Sequence, residues 1–116
     1  SFVAGFVGNA MSLRGRKDGT TLHLKGGTLS LPADGVGQTV FVRAEDIRIV
    51  ESGPLRGKVE TVTFLGTHYR IGISGITSDT LASIHLGQDA PKVGDMINVS
   101  IMAETLMLLP EEAGAA

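Results

Sequence analysis

No cysteine occurs in the 116 residues. Disulfide staples, thiolate nucleophiles and cysteine-based zinc sites are therefore excluded, and a reducing compartment fits. Aromatics are scarce: four Phe and one Tyr fall short of the stacking groove with which small barrels hold single-stranded nucleic acid. No charge sign dominates, since 10 Lys+Arg stand against 12 Asp+Glu for a formal net charge of -2. Neither phosphate backbones nor anionic lipid would be attracted at long range. Long apolar runs are missing too, none reaching the roughly 18 to 20 residues that span a bilayer, and no basic leader precedes an apolar stretch. The reading is a soluble chain without a nucleic-acid partner and without direct membrane insertion.

What is abundant is glycine, with 16 residues set among short Val/Ile/Leu/Thr segments. That composition predicts many turns and short strands within one domain of ordinary size. At the start, Phe2, Val3, Phe6 and Val7 would form one apolar stripe on a helix of about two turns. Further on, Leu22 and Leu24 alternate with Thr21, His23 and Lys25, and Leu29 and Leu31 resume the alternation after Gly26 and Gly27. This is a hairpin pattern. A strand is expected from Gln38 to Arg43 with Val40 and Val42 on one face, then a short extended piece at Ile47 and Ile49.

Between Gly57 and Leu65 the apolar positions shift phase from Val59 to Val62, as a β-bulge produces. Tyr69, Ile71 and Ile73 share the next strand face, a weaker strand covers Leu81 to Leu86, and Ile97, Val99 and Ile101 point inward from a later one. About eight short strands argue for an all-β fold, a small antiparallel barrel or sandwich. Two halves resemble each other faintly, each having a glycine-initiated strand, a hairpin and a late strand that ends in an acidic turn.

Arg43, Glu45, Asp46 and Arg48 are the densest charge cluster. Two carboxylates held by arginines could serve acid/base chemistry, but adjacent residues on an extended chain point to opposite faces. A corner between strands, with Asp46 capping local amides and Arg43 and Glu45 in solvated or interfacial ion pairs, accounts for the same residues. His23, His68 and His85 are far apart in sequence, and nothing in their spacing demands a metal. Gly26-Gly27 and Gly35-Val36-Gly37 lack the Lys-Ser/Thr of a phosphate loop, and Ser74 lacks a nucleophile elbow. No catalytic residue, cofactor or metal site is predicted.

Four stretches in order carry a family resemblance: FVAGFVGNAM, VRAEDIRIV, GKVETVTFLG and VGDMINVSIMAETLMLLP. They are similar to the end of the ATPase domain of importer-type ABC transporter subunits, followed by the C-terminal TOBE domain. Ala44 departs from that pattern, standing where its corner usually has proline. The resemblance implies an OB-like barrel over 11–110, a helical remnant of the ATPase domain over 1–10, and a frayed end over 111–116.

It also implies a non-catalytic regulatory and dimerisation role. Walker A, signature and Walker B motifs are not in this sequence, so ATP and Mg would belong to the parent subunit. Partners would be the ATPase domain of the same subunit, a second copy, and membrane permeases through the parent, in the cytoplasm at the inner membrane. A polyamine solute is the expectation, with ferric iron or phosphonate as alternatives. Interface residues would be Phe2, Phe6, Arg43, Glu45 and Asp46. An oxyanion or polyamine site, if the domain has one, would use Gly66, Thr67, His68 or Ser74.

Overall fold

The computed structural model describes residues 10–110, so the expected helix of 1–10 and the tail of 111–116 lie outside the described residues, bar Ala10. Eleven strands form: β1 (Met11–Leu13), β2 (Arg16–Asp18), β3 (Thr21–Leu24), β4 (Gly27–Ser30), β5 (Gln38–Val42), β6 (Arg48–Val50), β7 (Leu55–Phe64), β8 (Tyr69–Ser74), β9 (Leu81–His85), β10 (Met96–Ser100) and β11 (Met107–Pro110). Among the described residues two 3-10 turns, Ala44–Asp46 and Ala103–Thr105, join these strands. The all-β expectation holds, with more strands than the sequence pattern announced. The additions are three-residue pieces such as β2, whose Arg-Lys-Asp sequence carries no alternation and which is a strand because it pairs with β3.

The strands make a three-stranded sheet, β1-β5-β11, and a curled eight-stranded sheet that follows β2-β3-β4-β7-β10-β6, with β8 and β9 added alongside β7. Every pairing is antiparallel. Curling brings β9 back toward β6, and the Ser83 hydroxyl donates to the Ile47 carbonyl at 2.5 Å across that seam. Inward residues fill the interior: Leu22, Val40, Ile47, Leu55, Val59, Ile71, Ile73, Leu81 and Val99 are all buried. Each such side chain is worth about 1.5–3 kcal/mol of burial, and together they supply the driving force. No helix among the described residues is long and apolar enough to cross a membrane.

The phase shift in β7 is a bulge. Val59 pairs with Ile73 and Thr61 with Gly72, leaving Glu60 as the extra residue. An extra residue bends its strand and tightens the twist, and that lets the outer end of β7 curl away from β10. The predicted hairpin is β3-β4, closed by Leu24↔Gly27. Its tip is wedged against β7: Gly26 N–H donates to Ile76 O and Arg56 N–H to Gly26 O, both at 3.0 Å. A Cβ on Gly27 would come within 2.1 Å of Pro54 O, so only glycine permits this approach.

A repeated unit is present, smaller than the halves likened in the sequence and without their hairpin. Gly35-Val36-Gly37-Gln38 and Lys92-Val93-Gly94-Asp95 are turns closed by N–H to O bonds between their ends, with Gly37 at φ 79 and Gly94 at φ 97. Each leads into a strand, a 3-10 turn and a second strand: β5, Ala44–Asp46 and β6 in the first unit, β10, Ala103–Thr105 and β11 in the second. Val40, Val42, Ala44, Glu45, Ile47 and Ile49 match Val99, Ile101, Ala103, Glu104, Leu106 and Leu108. The units pair with each other: Val40 lies opposite Leu108 and Ile49 opposite Val99, Phe41 opposite Met107 and Arg48 opposite Ser100. Exchanging every residue for its twin leaves these pairings unchanged, the signature of a local two-fold.

Candidate functional site

The charged corner is the first 3-10 turn. Arg43 precedes it in extended conformation, φ -94 and ψ 151. Asp46 N–H then bonds to Arg43 O at 3.0 Å and Ile47 N–H to Ala44 O at 3.3 Å. The backbone closes the turn; the Asp46 carboxylate does not cap it, contrary to the sequence reading. Among the described residues, no hydrogen bond or ion pair engages the side chains of Arg43, Glu45, Asp46 or Arg48. Ala44 and Ile47 are buried, while Arg43, Glu45 and Arg48 are exposed and Asp46 half-buried. The corner thus holds two cations and two anions in water or near it, anchored from beneath by apolar neighbours.

Beside it, Glu45, Arg48, Ile49, Val50, Ile84, His85 and Leu86 line a recess of about 330 Å³. Leu86 is 73% exposed, an apolar side chain on the rim. These last four residues carry no signal in their own segments; the recess exists because β9 returns to β6.

Gly66, Thr67 and His68 form the β7-β8 turn, Gly66 at φ 95 and Leu65 N–H bonded to His68 O at 2.8 Å. Thr67 Oγ1 and His68 Nδ1 lie 2.9 Å apart, so each satisfies the other. Ser74 stands at the far end of β8, five residues of extended chain or roughly 17 Å away, donating to Glu60 Oε2 at 2.5 Å. The structure therefore does not bring Ser74 to the loop, and a carboxylate beside its hydroxyl disfavours an anion there. Phe2 and Phe6 lie outside the described residues.

His23 sits on β3 with Nε2 4.0 Å from Asp18 Oδ2, His68 in the hairpin turn, and His85 at the end of β9, its ring 6.5 Å from that of Tyr69. Among the described residues, no three His, Asp or Glu side chains group as a metal site would require. Thr67 with His68 and Ser74 with Glu60 do bring a hydroxyl to a base, both as exposed surface pairs. What the surface offers is contact: a mixed-charge corner, a recess and an exposed leucine.

Comparison with known proteins agrees with the architecture. The TOBE domain family model matches residues 40–109, a stretch that takes in most of both copies of the repeated unit, from within β5 to within β11. The spermidine/putrescine import ATP-binding protein PotA of Clostridium acetobutylicum is 37% identical over 75 residues, covering 63% of this chain and 20% of that protein. The chain thus spans about a fifth of the length of the curated relative it matches. From the matched residues and the paired β-turn-β units within them, the chain belongs to the TOBE domain family.

Proposed function

We propose that this chain is the non-catalytic C-terminal regulatory and dimerisation domain of the ATP-binding subunit of an ABC-type solute importer. The observation that carries the reading is the match over residues 40–109, strengthened by the 37% identity to an import ATP-binding protein. The surface supports it, being built for contact with the corner's charges turned outward.

In this role the domain holds two ATP-binding subunits together while their ATPase domains separate between cycles. Tethering replaces dilute encounter by a high local concentration, so re-closure becomes effectively intramolecular. Any partner that prefers one arrangement of the tethered pair biases the cycle by its differential affinity. ATP and Mg serve the parent's ATPase domain, and permease contacts are made by the parent in the cytoplasm at the inner membrane. The solute is a polyamine, on the strength of the relative's spermidine/putrescine import.

Deletion tests the reading. Removing residues 11–110 from the full-length subunit should leave nucleotide binding intact while lowering the stability of the subunit pair and the rate of polyamine uptake in reconstituted vesicles. Nucleotide hydrolysis by the 116-residue chain alone, or unaltered pairing after the deletion, overturns it.

A further inference from the structure

The repeated unit supplies an internal control. Both 3-10 turns are entered and left through extended residues, place a buried aliphatic residue just after the turn, Ile47 and Leu106, and carry an exposed glutamate at the same place, Glu45 and Glu104. Whatever the turn needs structurally must be present in both. Yet the first carries Arg43, Asp46 and Arg48 where the second carries Met102, Thr105 and Met107. Thr105 has a local task, its hydroxyl donating to Met102 O at 2.7 Å; Asp46 has no such bond. The charges of the first turn are not required for its conformation and have no partner among the described residues.

We infer that the first turn, with the recess and Leu86 beside it, is an isologous contact surface for a second copy of this chain. A two-fold contact must be complementary to itself. This corner meets that condition in charge, since two arginines and two carboxylates within six positions can pair across an axis, Arg43 and Arg48 of one copy with Glu45 and Asp46 of the other. It meets the condition in shape as well, because a protruding leucine adjoins a recess of about 330 Å³ with apolar walls at Ile49 and Ile84. The second turn lacks the opposite charges and is excluded from the contact. This rests on the dimerisation role proposed above and names the surface that performs it.

The experiment is a charge-segregated pair examined by sedimentation velocity on the 116-residue chain. One variant carries Arg43→Glu with Arg48→Glu and has an all-acidic corner; the other carries Glu45→Lys with Asp46→Lys and has an all-basic one. Each alone should self-associate at least about tenfold more weakly than the unaltered chain, like charges now facing each other. Mixed in equal amounts, the two should associate at least as well as the unaltered chain. Glu104→Lys, in the twin turn, should change nothing, and circular dichroism should show all variants folded.

Self-association that is indifferent to the corner charges overturns this assignment and leaves the dimerisation role standing, as does weakening that mixing does not restore. A chain that stays monomeric at every concentration overturns both.

Discussion

The two β-turn-β units share a backbone pattern and differ in surroundings. In the first, β6 ends the path of the eight-stranded sheet with β10 as its strand partner, but its turn packs against β9; Ala44 is buried and the Ile47 carbonyl accepts the Ser83 hydroxyl. In the second, β11 is an outer strand of the three-stranded sheet, with β5 as its only strand partner among the described residues, and Ala103 is half-buried. Local sequence thus specifies the turn twice over, while tertiary setting decides how much stability each copy carries.

Truncating the twin apolar anchors tests that difference at its largest. Ile47→Ala and Leu106→Ala should each cost about 2–5 kcal/mol in urea unfolding, a buried side chain being replaced by a cavity. Ile47 should stand at the upper end, because it is 1% exposed against 6% for Leu106. Equal costs would mean that the seam adds nothing to the packing there.

A smaller effect separates the units by a bond that only one of them has. Ser83→Ala strands the Ile47 carbonyl at a buried seam, and about 1–3 kcal/mol should be lost; a loss near zero would mean that water replaces the hydroxyl. Where the units agree, substitutions should agree as well. Gly37→Ala and Gly94→Ala meet no atom within 4 Å of the added Cβ, so positive φ alone sets the cost, about 1–2 kcal/mol in both. Unequal values would break the equivalence of the entry turns.

Smallest is the proline that the corner lacks. Arg43 and Met102 are both extended, as a residue before proline must be, and proline suits the first position of a helical turn. Ala44→Pro and Ala103→Pro should therefore each stabilise by about 0.4–1 kcal/mol through the unfolded chain, seen as a higher melting temperature. Destabilisation at Ala44 alone would trace to its tighter packing.

Alternation made much of this fold readable. Val40, Val42, Ile97, Val99 and Ile101 are buried as their period of two required, and the displaced phase between Val59 and Val62 marks the Glu60 bulge. Strands such as β1 and β2 were not readable, because three residues carry no period and pairing alone makes them strands. The repeat was not read as such: the likeness of the two halves rested on other features, and the register that joins the two units is set between residues distant in sequence. Of the corner, its position was readable but its capping was not: Asp46 next to a turn suggests an acceptor for local amides, whereas the 3-10 bonds leave the carboxylate outside. The recess depended on β9 closing toward β6 and had no mark in either segment.

A unit that pairs with its own twin about a two-fold is a dimer contact contained within a single polypeptide. Symmetric subunits must change both sides of such a contact at once, whereas linked twins can diverge one at a time. The interior pairings of Val40, Leu108, Ile49 and Val99 hold the arrangement in place, which leaves one face of one twin free to acquire a new partner while the other goes on serving the fold.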